Sequence, residues 1–170
     1  MLNPAGLASE VEIKKLRGKL VSGYRTHSIT LRSMETGDVL FESTSFFRSF
    51  VKSRSALDDY RCDMEKKFVL PKRALNSRAI LCSIIFSSEE SIQNLNCVSD
   101  VYLGGAFLER WDSNFGFVIP GSTNTWETCF VRSDTDFIDP SISSGNVVFD
   151  SILRDGEMPI RQFKLRLFYK

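Results

Sequence analysis

Apolar positions along this chain recur mainly with the two-residue period of β-strands. In residues 78–86, Ile80, Cys82, Ile84 and Phe86 share one face and Ala79, Leu81, Ser83 and Ile85 the other. Apolar residues on both faces mark a strand covered from both sides. Residues 160–169 alternate more strictly, with Phe163, Leu165, Leu167 and Tyr169 opposite Lys164 and Arg166, as in a half-buried strand. Phe115, Phe117 and Ile119 alternate with Gly116 and Val118, and Pro120-Gly121 stops that strand before another begins within Thr123–Val131. This pattern predicts a hairpin with a polar corner.

Ile29 and Leu31 share a face with His27, and Thr36-Gly37-Asp38 turns the chain into Val39-Leu40-Phe41 as a further hairpin. Residues 67–70 form a short strand ended by Pro71. Residues 101–111 read as one long strand with Val101, Leu103, Phe107, Glu109 and Trp111 on one side. Gly145-Asn146 leads into an apolar run over residues 147–153, and Asp155-Gly156 turns the chain again.

Helical signals are short. Ser9 with Glu12 forms a capping box before an N-terminal helix that Gly18 or Gly23 ends, and Ser87-Ser88-Glu89-Glu90 predicts a second helix through Ile92 and Leu95. Asp139-Pro140 opens a single turn. Seven or more short strands with so little helix predict an all-β sandwich, as one domain over residues 23–170 behind a helical arm over residues 1–22.

Charge changes the picture by exclusion. Twenty-two basic and 21 acidic residues leave a net charge of +1, which argues against nucleic acid as the main partner. Cys62, Cys82, Cys97 and Cys129 lack Cys-x-x-Cys spacing and His27 is the sole imidazole, so the expectation is reduced thiols, no metal and no cofactor. His27 has no acidic or nucleophilic partner at useful spacing, so no catalytic residue is assigned and no enzyme is expected. No window approaches the roughly 18 apolar residues of a membrane helix. The opening Met-Leu-Asn-Pro carries neither a secretion signal nor a myristoylation signal, so a cytoplasmic protein is expected. Residues 43–60 mix Phe46, Phe47 and Phe50 with Arg48, Lys52 and Arg54 and read as a long surface loop. Glu109, on an otherwise apolar face, needs a partner, a cavity or solvent.

The run from Phe115 to Trp126, Phe-Gly-Phe-Val-Ile-Pro-Gly-Ser-Thr-Asn-Thr-Trp, resembles the prenyl-binding family of the delta subunit of rod cyclic GMP phosphodiesterase. That family is related to myristoyl-binding proteins and to Rho guanine-nucleotide dissociation inhibitors. Leu70-Pro71-Lys72, Phe107-Leu108-Glu109-Arg110-Trp111, Gly145-Asn146-Val147 and Arg166-Leu167-Phe168-Tyr169 carry the same resemblance, which spans nearly all of residues 23–169.

The resemblance implies an immunoglobulin-like β-sandwich with a lipid cavity between its sheets. It implies a cytosolic chaperone that solubilises farnesylated or geranylgeranylated proteins, such as small GTPases, and releases them to an ADP-ribosylation-factor-like GTPase. The alternatives are an N-myristoyl cargo carrier and a cavity-less protein-interaction sandwich.

Carried over position by position, the lipid site falls on Ile29, Leu31, Phe41, Ala74, Ser77, Cys82, Ile84, Ser99, Glu109, Trp111, Phe149, Leu153, Leu165, Leu167 and Tyr169. The GTPase-binding edge strand falls on Thr123, Asn124, Thr125, Trp126, Glu127 and Thr128, to which the partner adds a strand. The family's cavity arginine is Cys82 here and its cavity glutamine is Ser99. Its tryptophan before Ile29 has no equivalent at His27-Ser28, and the loop over residues 43–60 is about a dozen residues longer, an insertion of a length that loops tolerate.

Overall fold

The computed structural model describes residues 10–44, 61–132 and 139–170. Helix α1 (Glu10–Gly23) leads into β1 (Tyr24–Ser33), β2 (Val39–Ser43) and β3 (Arg61–Leu70). A 3₁₀ turn (Lys72–Asn76), β4 (Ala79–Ser88), β5 (Ile92–Leu103), β6 (Ala106–Val118) and β7 (Thr123–Val131) follow. Helix α2 (Pro140–Ser143), β8 (Val147–Asp155) and β9 (Met158–Tyr169) complete the order. The long loop expected over residues 43–60 lies, from residue 45 on, outside the described residues.

The fold is an all-β sandwich. One sheet has the order β2-β1-β4-β7, the other β3-β9-β8-β5-β6. Every pairing is antiparallel except β3 with β9. Between the sheets, the end nearest α1 is filled by Leu20, Tyr24, Phe86, Ile92, Leu95, Val118, Trp126, Leu153 and Ile160. Leu20 of α1 is thus part of the core. At the opposite end Leu40, Leu70 and Ala74 pack with Ile80, Leu167 and Tyr169.

Five readings of the sequence are corrected by the fold. The helix expected from Ser87-Ser88-Glu89-Glu90 is absent, and Ile92 and Leu95 begin β5. Register shifts on both sides of Leu95 let two residues three apart face inward together, so a bulge imitated the spacing of a helix turn. The capping serine serves a turn instead, where Ser88 Oγ donates to the Glu90 carbonyl at 2.7 Å.

The single strand expected over residues 101–111 is a hairpin. Gly104 and Gly105 have φ of 58° and 84°, and these left-handed residues fold β5 back onto β6. The expected pairing of β6 with β7 is also absent. The two strands belong to different sheets, so residues 119–122 form a corner between layers rather than a hairpin. Gly121, at φ 75°, donates its amide to the Ser88 carbonyl at 2.7 Å, which ties that corner to the end of β4.

A face assignment changes in two places. The left-handed backbone at Gly116, φ 97°, shifts register opposite Leu95, so Phe115 and Val118 point in while Phe117 and Ile119 are exposed. A register shift between Thr26 and Ser28 turns His27 outward, away from the face of Ile29 and Leu31. There its Nε2 hydrogen-bonds with Ser87 Oγ at 2.7 Å.

Candidate binding cavity between the sheets

Between the filled α1 end and the Leu40–Leu70–Ala74 cluster the sheets flank a partly open cavity of about 180 Å³. The four-stranded sheet lines it with Tyr24, Thr26, Ile29 and Leu31 from β1, Ile80, Cys82 and Ile84 from β4, and Trp126, Thr128 and Phe130 from β7. The five-stranded sheet contributes Phe68 and Leu70 from β3, Cys97 and Ser99 from β5, and Trp111 and Ser113 from β6. Phe149, Ser151 and Leu153 from β8 and Phe163, Leu165 and Leu167 from β9 complete the lining. Each set follows from the alternation of strand side chains, with one face turned inward on every strand.

No lining residue is ionised at neutral pH. Two pairs of hydroxyls satisfy each other, Ser99 Oγ with Ser151 Oγ at 2.8 Å and Ser113 Oγ with Thr128 Oγ1 at 2.8 Å across the two sheets, while the Thr26 hydroxyl is buried without a partner among the described residues. Burial pushes the Cys82 thiol up to about 12 and the Cys97 thiol up to about 11, the latter partly offset by its hydrogen bond to Ser99. Both thiols are neutral. Burial likewise drives the Tyr24 phenol above its ordinary range. A neutral, mostly aliphatic and aromatic interior has little to offer a charged ligand and much to offer a hydrocarbon chain.

Of the residues singled out from the sequence, Ile29, Leu31, Cys82, Ile84, Ser99, Trp111, Phe149, Leu153, Leu165 and Leu167 line this cavity. Phe41, Ala74, Ser77 and Tyr169 lie beside it instead. Phe41 stacks on Phe68 at 4.1 Å, Ala74 and Tyr169 belong to the end cluster, and Ser77 Oγ donates to Ser33 Oγ at 3.0 Å. Glu109 is exposed and outside the cavity. By the spacing of the contacts between β6 and β7 it lies level with residue 132, beyond the end of β7 at Val131, so no strand covers it. The carboxylate that looked costly on an apolar face is solvated.

The sequence reading missed twelve lining residues. Trp126, Thr128 and Phe130 were legible as alternate positions of one strand, and Phe163 as the neighbour of Leu165 two residues on. Cys97 lay just past the stretch read as helix, and nothing local marked its face. Cys82, Cys97 and Cys129 are free thiols, and the described residues contain no cluster suited to a metal ion.

Thr123–Thr128 lie on β7, which is an edge of the four-stranded sheet. Trp126 and Thr128 point inward, and Glu127 on the outer face accepts from Ser83 Oγ at 3.0 Å. The backbone of β7 away from β4 has no strand partner among the described residues.

The two sheets of this all-β sandwich thus part around a neutral apolar cavity. The chain belongs to the family described as GMP-PDE, delta subunit, whose pattern it matches over residues 19–169.

Proposed function

We propose that this protein is a lipid-binding chaperone, and not an enzyme, that holds the farnesyl or geranylgeranyl chain of prenylated proteins such as small GTPases. The observation that carries this reading is the cavity between the sheets, lined without a single ionised group. It favours this reading over the alternative of a sandwich without a cavity. Removing a chain of some fifteen carbons from water is worth roughly 0.8 kcal/mol per carbon, about 10 kcal/mol before ordering costs. That is enough to compete with a membrane for one chain. No helix among the described residues is long and apolar enough to cross a bilayer. We place the activity in the cytoplasm, where prenylated proteins need a carrier.

Release follows from the other exposed feature. An ADP-ribosylation-factor-like GTPase would add a strand to the free edge of β7, over Thr123, Asn124, Thr125, Trp126, Glu127 and Thr128. Trp126 and Thr128 of that strand line the cavity, so what grips its edge also bears on the lipid. A fluorescent farnesylated peptide is expected to bind at micromolar affinity or better and the unlipidated peptide not at all. Equal binding of both would end the lipid reading. GTPase loaded with GTP is expected to speed peptide dissociation, and an unchanged off-rate at saturation would remove the release step alone.

A further inference from the structure

The cavity is neutral, but its far end is not. On β7 the inward face runs Trp126, Thr128, Phe130, and the next position on that face, one residue past the strand, is Arg132. Its amide still pairs with the start of β4, donating to the Arg78 carbonyl at 2.8 Å. Its guanidinium is pinned through one nitrogen, Nη2, which donates to the carbonyls of Leu75 and Ser77 at the close of the 3₁₀ turn, the latter at 3.0 Å. Nε and Nη1 have no acceptor among the described residues, and Arg132 joins none of their ion pairs.

A half-buried guanidinium fixed by neutral carbonyls keeps its full charge and some of its donors for something else. The Tyr169 phenol stands in its field: burial raises that group and the Arg132 charge pulls it back. Tyr169 in turn packs against the Leu40, Leu70 and Ala74 cluster, of which Leu70 lines the cavity. The cation and the phenol therefore sit where the apolar lining stops.

The neighbouring carboxylates are engaged elsewhere: Asp38 faces Arg73 at 4.0 Å, and Glu35 accepts from the Arg78 amide at 2.8 Å. Glu109, level with Arg132 on the facing strand, is exposed and makes no ion pair with it.

We propose that Arg132 is an anion-receiving site at the end of the cavity. It selects lipids whose chain terminates in a carboxylate over the same lipids with a neutral end. The inference rests on the reading of the cavity as a lipid site and adds its polar specificity. With Nη2 taken by the two carbonyls, a carboxylate receives a single charge-assisted hydrogen bond from Nε or Nη1, which a methyl ester cannot match in charge.

The test uses N-acetyl-S-farnesylcysteine and its methyl ester, competed against a fluorescent farnesylated peptide on the full chain. The free acid is expected to bind about tenfold more tightly than the ester, a preference that shrinks with added salt. Arg132→Gln keeps a donor for the Leu75 and Ser77 carbonyls and is expected to abolish the preference, by weakening the free acid more than the ester. Arg132→Lys is expected to retain part of it. Equal binding of acid and ester by the wild type, or an undiminished preference in Arg132→Gln with its melting curve intact, would overturn the anion site and leave the lipid cavity standing. Binding of neither compound would overturn the lipid cavity itself.

Discussion

Trp111 and Phe130 stack with ring centroids 4.5 Å apart and planes at 21°, although their strands belong to different sheets. The contact is one of three in a row. Ser113 and Thr128 follow at 2.8 Å, then Phe115 and Trp126 with centroids 5.8 Å apart. Strands β6 and β7 are the edges of their sheets on the same side of the sandwich, and side chains alone hold them together there. A seam without a backbone ladder is the side along which two sheets part most cheaply. Parting is required, because an apolar cavity of about 150 Å³ holds one benzene ring, and the 180 Å³ here is far short of a farnesyl chain.

Trp111→Ala should therefore do two things. It removes the stack on Phe130 and the edge contact with Phe149 at 5.2 Å, and stability should fall by about 2 to 3 kcal/mol, less than for a fully buried tryptophan. It should also speed association of a farnesylated peptide severalfold, because the seam no longer has to open. Urea denaturation and stopped-flow fluorescence measure the two effects. Lost stability with an unchanged association rate would put lipid access at the Arg132 end instead.

Cys82 offers a chemical probe of the same space. Its thiol is pushed up to about 12 by burial, so only about one molecule in ten thousand carries the thiolate at pH 8. With Cys62, Cys97 and Cys129 replaced by serine, maleimide labelling should be slow and should rise about tenfold per pH unit from 7 to 9, as expected far below a raised pKa. Farnesylated peptide should block it. Equally fast labelling with and without lipid would remove Cys82 from the site.

Strand periodicity carried most of the fold, because a sandwich buries one face of each strand and the alternation records which. It failed where the backbone departed from a regular strand. Leu95, His27 and Gly116 each sit at a register shift, and no side-chain pattern announces the extra residue. The Gly104-Gly105 pair was visible as a turn signal but was outweighed by the apolar run around it. The sheet membership of β6 and β7 is decided by long-range pairing, which local sequence does not encode. For the cavity, ten of the fifteen positions that the resemblance implied fall in its lining. The end at Arg132 was missed because its position follows from a strand continuing one residue beyond its ladder, and because the cation is held by backbone carbonyls rather than by a partner that spacing could suggest.

Acid should weaken the join between β3 and β9 first. The Arg166 guanidinium, hydrogen-bonded to both Glu65 oxygens, holds that carboxyl below its ordinary 4.5. A carboxyl depressed on folding adds stability that is complete above its unfolded value and is lost as pH falls through the folded one. Glu65→Gln should cost about 0.5 to 1 kcal/mol at pH 7, since the pair is only partly shielded from solvent. The gap from wild type should close as pH drops below 4.5, the ordinary value for this carboxyl. Arg166 stays anchored in the variant by its bond to the Gly145 carbonyl at 2.7 Å. Parallel stability curves down to pH 3 would show that the pair contributes nothing.

The last prediction concerns the position where the family keeps an arginine. Cys82 faces Thr128 and Leu31 in the ladder and Cys97 within the cavity, all neutral. Glu109, the carboxylate that the resemblance placed among the cavity's polar groups, is solvated outside it. Cys82→Arg would bury a cation with no carboxylate to meet it, and a buried unpaired charge costs about 3 kcal/mol or more. The variant should be destabilised by that amount and should lose affinity for farnesylated peptide at least tenfold. Adding Ser99→Asp, on the facing sheet of the same cavity, should recover part of the stability but not the lipid affinity, because the restored pair would occupy the chain's place. Urea melts and peptide titrations of the single and double variants decide it. A Cys82→Arg protein as stable as wild type would show that the cavity already holds an acceptor.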